Sequence, residues 1–220
     1  MRRIVAVTSG GGSILGAGIR HDELVRSQLV SMVVDRPCGA ADVAIAHGIP
    51  LLHIDERDNR AFSDALLAHC REMGADHLVL FFNRLLVGEV LHAFDRRIVN
   101  FHPSLLPAFR GLNAPIQARQ AGARFLGTTV HFIDDQVDEG FIILQSVLPL
   151  DPDGDPALLR HRQFEQFCKG FVQVCHWLED DRIRVVDRHV RVAGARYDQP
   201  DFSPALDARS ALAFSVPFAP

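Results

Sequence analysis

Lysine is nearly missing from this 220-residue chain: of its 23 basic residues only Lys169 is a lysine, and it lies in a predicted helix. Schiff-base chemistry is therefore excluded everywhere else, and so is a P-loop, whose lysine must follow a glycine-rich turn. An arginine bias of this kind follows more readily from a GC-rich genome than from selection. Cysteine is scarce too. Cys38, Cys70, Cys168 and Cys175 form no C-x-x-C pair, so neither a zinc ribbon nor a redox dithiol is spelled out, no metal is expected, and buried free thiols are the expected state. A basic stripe is lacking, with 27 acidic residues against the 23 basic ones and a net charge of -4, which speaks against nucleic acid as the main partner. Long apolar runs are absent as well. The stretch at 4–7 is too short for a signal peptide and nothing approaches a membrane span, so a cytoplasmic protein without a membrane partner is expected.

What is present is ordinary for a globular chain: 48% hydrophobic residues, 23% charged and a mean hydropathy of +0.08. The length suits one α/β domain over residues 1–196 followed by a tail, 197–220, of undetermined role. Strand patterns at 4–8, 30–34, 50–54, 77–82 and 97–101 alternate with helical spacing at 16–28, 40–47, 60–73 and 85–94. Two more strands are expected at 126–133 and 141–148, a long helix at 156–178 and a hairpin at 182–192. This order predicts a Rossmann-like, mostly parallel twisted sheet with helices on both faces, whose ligands bind beyond the carboxyl ends of the strands.

Two stretches could carry chemistry. Ser9-Gly10-Gly11-Gly12-Ser13 follows the first strand and opens a helix, where the amides of Gly11, Gly12 and Ser13 could hold an anion. The dinucleotide fingerprint is not met, since Leu15 stands where its third glycine would be, and a plain tight turn remains the other reading. Asn100-Phe101-His102-Pro103-Ser104-Leu105-Leu106-Pro107 ends a strand with two polar groups on the same side. An amide that donates to an oxyanion beside an imidazole that exchanges a proton is what acyl transfer to an amine requires. A solvated histidine next to a turn asparagine is the alternative.

Together with Gly127-Thr128-Thr129-Val130-His131-Phe132 and Val137-Asp138-Glu139-Gly140-Phe141-Ile142-Ile143-Leu144-Gln145, the Asn100 stretch resembles the folate-dependent formyltransferases, above all their purine-synthesis branch. The stretch from Phe109 to Ala118 resembles instead the branch that formylates methionyl-tRNA or sugar amines. The resemblance implies a formyl group moved from 10-formyltetrahydrofolate to a primary amine, glycinamide ribonucleotide or another small amine, with no metal. It makes Asn100, His102 and Asp138 the catalytic trio: Asn100 the oxyanion donor, His102 its electrostatic partner, and Asp138 the group that holds the histidine or a water and helps move the proton. It sets the pteridine against Arg84, Leu86 and Leu91 and the loop holding Ile133, Asp135 and Val137. A homodimer is compatible with the resemblance.

Two positions depart from the family. Ile14 stands where the purine enzyme has an asparagine for the phosphate. Phe167 stands where its long helix supplies a glutamate, while Glu165 is about 200° round the helix from there. Two other functions stay open: hydrolysis of 10-formyltetrahydrofolate with release of formate, as in deformylases, which usually carry a regulatory domain in front of the glycine loop, and folate binding without turnover.

Overall fold

Ile4, Val5, Ala6 and Val7 have no solvent exposure, and a strand whose consecutive side chains are all buried must be covered on both faces. This is the first strand of the computed structural model, which describes residues 1–133, 140–187 and 189–218. The chain divides into two compact units, Met1–Asn100 with Phe132–Val137, and Phe101–His131 with Asp138–Pro220.

In the first unit run β1 (Ile4–Thr8), α1 (Ser13–His21), α2 (Glu23–Gln28), β2 (Leu29–Val34), α3 (Gly39–Ala46), β3 (Leu51–His53), α4 (Asn59–Glu72), β4 (His77–Phe81), α5 (Glu89–Ala93) and the start of β5 (Ile98–His102). The strands are parallel, in the order β3-β2-β1-β4-β5. Val5, Val7, Leu78, Leu80 and Ile98 face Phe62, Leu66 and Cys70 of α4 and Val90 of α5 in one apolar cluster. Ile4, Ala6 and Met32, pointing the other way, are equally buried, and α2 and α3 pack against β2 with α1 against both helices. The expected mostly parallel α/β sheet with helices on both faces is thus what these residues build.

The second unit holds α6 (Ala114–Gln120), β6 (Phe125–Phe132, its last residue in the first unit), β7 (Ile142–Pro149), α7 (Pro156–Glu179), the hairpin β8 (Ile183–Val186) and β9 (His189–Val192), β10 (Phe202–Ser203) and α8 (Arg209–Ala213). β7 pairs antiparallel with both β6 and β10. α7 lies close to β7 at Gly170, where an added Cβ would stand 3.3 Å from Leu144.

Two expectations need correction. The helix expected over 16–28 is two helices, because Asp22 leaves the helical region at φ -140 and its carboxylate accepts from Val25 N, capping α2. The helix expected from 85 starts only at Glu89, since Gly88 sits at φ 78, where a Cβ would collide with the Arg60 guanidinium. α6 had no counterpart in the sequence reading. The stretch from 197 on supplies β10 and α8, and Phe202, Leu206, Ala211 and Phe214 are buried.

Candidate active site

The loop after β1 opens α1 without any side-chain cap: Gly12 occupies the N-cap at φ 68, and the first turn closes through Gly16 N to Gly12 O at 2.8 Å. A Cβ on Gly12 would stand 2.8 Å from the Ala40 Cα, so the left-handed turn and the close approach of α3 both demand glycine. Gly10 and Gly11 have open space instead, and Gly11 and Ser13 are exposed. Amides at an uncapped helix start, next to solvent, are the donor set the sequence suggests.

Alternation along β5 puts Asn100 and His102 on one side of the strand and Phe101 on the other. Phe101 packs into the second unit against Phe167 and Phe171, with ring centroids 6.4 and 5.9 Å away, which fixes the strand's orientation. His102 is 5% exposed, and its Nε2 lies 3.0 Å from the Phe109 carbonyl oxygen. The chain between these two residues is clamped. Thr129 Oγ1 donates to Ser104 O at 2.7 Å and accepts from Leu106 N at 3.0 Å and Gln145 Nε2 at 3.1 Å, the full capacity of a hydroxyl. Gln145 also donates to Leu106 O, and Gln163 of α7 to Pro103 O and Gly127 O. Leu105 lies over Gly127, where a Cβ would come within 2.6 Å of its Cδ2. Sequence reading missed Thr129, Gln145 and Gln163 as supports of the loop. For Thr129 and Gln145 the signal was the joint presence of the motifs, which hydrogen-bond to one another, while Gln163 lies outside them.

The residues expected at a pteridine gather in the first unit. Leu86 is buried in the apolar cluster, with Leu91 and Ile133 packed against it, and Ile133 N donates to Ile98 O at 3.0 Å. Arg84 is a strut: its guanidinium donates to the Glu56 and Arg57 carbonyls and Asn59 Oδ1, lies 3.8 Å from Asp35, and sits over the Phe62 ring. It borders an open pocket of about 410 Å³ lined by Asp35, Arg36, Asp55, Glu56 and Arg57. Burial works to raise the Asp35 carboxyl, but the two hydrogen bonds and the charge of Arg36 prevail and hold it below the usual carboxylate range. Asp135, Val137 and Asp138 lie outside the described residues.

The family model for formyl transferase matches residues 2–175, which spans every motif above. This chain belongs to the formyl transferase family. It is 31% identical over 198 residues to the chloroplastic phosphoribosylglycinamide formyltransferase of Arabidopsis thaliana, covering 83% of this chain and 67% of that one. The crystal structure of glycinamide ribonucleotide transformylase 1 from Symbiobacterium toebii superposes with a TM-score of 0.80 at 34% identity, over 87% of this chain and 94% of that chain. A formyltetrahydrofolate deformylase from Pseudomonas putida KT2440 superposes at 0.74 with 25% identity, over 87% of this chain and 70% of that chain.

As a formyl transferase family member the chain keeps its departures. Phe167 is half-buried against Phe101, and Glu165 is engaged elsewhere, since its Oε1 accepts from Val216 N at 2.9 Å. Among the described residues no group of histidines, cysteines and acids could hold a metal ion, and no helix is long and apolar enough to cross a membrane.

Proposed function

We propose that this formyltransferase moves the formyl group of 10-formyltetrahydrofolate to a primary amine, glycinamide ribonucleotide or another small amine of similar charge. The observation that carries the reading is β5, which ends with Asn100 and a buried His102 on one side of the strand, inside the region matched to the family. In this reading the amine nitrogen bonds to the formyl carbon, the bond from that carbon to N10 breaks, and the amine's proton ends on N10. The Asn100 amide donates to the oxygen that turns anionic, His102 adds a second electrostatic contact, and Asp138 handles the proton. Leu86, Leu91 and Ile133 offer an apolar wall suited to a flat heteroaromatic ring, with Arg84 bracing its rim. The amides of Gly11, Gly12 and Ser13 take an anionic group of the acceptor. Hydrolysis is the second reading, favoured by the likeness to the deformylase.

Incubation with 10-formyltetrahydrofolate and a panel of amines separates the two. Release of tetrahydrofolate that depends on one amine is the expected result; equal release with and without amines would make the protein a hydrolase; none under any condition would leave a folate-binding protein.

A further inference from the structure

Phe109 is a bulky residue at φ 55, in the left-handed region that L side chains rarely adopt. Such a backbone persists where its surroundings over-determine it. Here they do. Its ring packs beside Ala118, Leu126 and Leu148, and the residues just before it are held by Ser104 Oγ donating to Ala108 O at 2.6 Å and Ala108 N to Leu105 O at 2.9 Å. What the turn delivers is the Phe109 carbonyl, 3.0 Å from His102 Nε2.

A carbonyl oxygen only accepts, so Nε2 must carry the proton at this contact, whether the ring is neutral or cationic. We propose that Phe109 is a positioning residue that keeps His102 protonated at Nε2 and so makes Nδ1 the one ring atom that exchanges a proton during turnover. On the formyl-transfer reading, on which the catalytic part of this inference rests, Asp138 handles the proton together with His102: as the amine nitrogen bonds to the formyl carbon and the bond from that carbon to N10 breaks, the ring passes the proton toward N10 through Nδ1 and not Nε2. The ring of Phe109 acts as an anchor. Its carbonyl is the group that matters to His102, so the side chain can change as long as it still fills the Ala118, Leu126 and Leu148 cluster.

The test is a histidine ring ¹⁵N spectrum of the whole protein without ligands, recorded with the ring neutral, with His102→Gln identifying the signal. A protonated Nε2 and a bare Nδ1 are expected; an Nδ1–H tautomer, or an even mixture, would overturn the inference. Phe109→Pro cannot hold a positive φ. It should give a mixed tautomer and a turnover number lower by about tenfold or more, with the KM for 10-formyltetrahydrofolate within about twofold, because misplacing a reacting group costs rate before binding. Phe109→Leu should recover the Nε2–H signal and most of the lost rate. A Phe109→Pro protein with unchanged tautomer and rate would also refute the inference. If that variant does not fold, the wild-type spectrum decides alone. Wild-type protein that turns over with an Nδ1–H ring refutes this inference only, whereas wild-type protein with no turnover on any acceptor refutes the formyl-transfer reading itself.

Discussion

Single side chains in this protein do their work through the loops that hold them. Asn100 is a short amide at the end of a buried strand, and its expected contribution is one oxyanion hydrogen bond. Removing such a donor costs about a hundredfold or more in rate, so Asn100→Ala should lower the turnover number by that much while the Kd for folate changes little. Stopped-flow turnover set beside folate titration would show it, and a variant within a few-fold of the parent would unseat Asn100 from its role. Asp207 offers a case where the chemistry is structural. Burial pushes its carboxyl up, but donation from Arg182 at 2.7 Å, Trp177 at 3.1 Å and Gln173 at 2.8 Å outweighs this and holds it below the ordinary carboxylate range. A carboxyl depressed in the folded state contributes stability that is present above its unfolded value near pH ~3.9 and is lost as pH falls through the folded value. Asp207→Asn should therefore lower the unfolding free energy at pH 7, measured by denaturant titration, by about 2 kcal/mol on the scale of a charged hydrogen bond. The gap to wild type should narrow steadily below about pH 4, and a gap that stayed constant down to acid would show that the charge of Asp207 is not what matters.

The elements were legible where one local signal decided them and illegible where two competed. β1, β2 and β4 are largely runs of buried apolar residues, β6 is buried from Leu126 on, and α7 carries a long stripe, so pattern and structure coincide to within a residue or two. The break between α1 and α2 was hidden because apolar spacing continues across it, from Leu15 and Ile19 to Val25. Asp22 decides that break through a hydrogen bond that spacing does not register. Losing an N-cap carboxylate costs about 1 kcal/mol, and Asp22→Ala should move the thermal midpoint down by about 2–4 °C for a chain of this size. Asp22→Asn, which keeps the acceptor, should recover most of it. Equal losses in both variants would show that the carboxylate does more than cap. α6 was missed for the opposite reason: it is short and has no capping side chain, starting from Asn113 at a left-handed φ of 61. On β5 the placement of Asn100 and His102 on one side was legible because they share one short strand. The support given to its exit by Thr129, Gln145 and Gln163 was not, because hydrogen bonds between residues far apart in sequence leave no periodic trace.

For the molecule as a whole, the C-terminal stretch is the largest part that composition could not place: four prolines scattered from 200 onward suggest a loose end, yet the chain returns to the second unit twice. β10 extends the pairing of β7, α8 packs on α7, and beyond α8 Phe214 is 3% exposed. Val216 is then held at both its backbone groups by side chains one helical turn apart on α7, its N–H donating to Glu165 at 2.9 Å and its carbonyl 2.8 Å from His161 Nε2. Phe218 lies against the His161 ring, with centroids 5.3 Å apart. This is a strap along the first half of α7, and the same stretch of helix carries Gln163, whose amide holds Pro103 and Gly127. Burying a phenylalanine contributes about 2–3 kcal/mol, and the two hydrogen bonds to Val216 add about 1 kcal/mol each. A chain that stops at Ala213 should therefore lose about 4 kcal/mol in the unfolding of the second unit, seen as a lower thermal midpoint and faster proteolysis within residues 101–131. Through Gln163 the turnover number should fall as well, more than the affinity for folate does, since the loss loosens the exit of β5 rather than the apolar wall of the first unit. Replacing Phe214 by Leu in the full chain should keep most of the stability, because it leaves both hydrogen bonds to Val216 and most of the buried apolar area in place. A truncated chain with unaltered melting would mean that the strap rests on α7 without stabilising it.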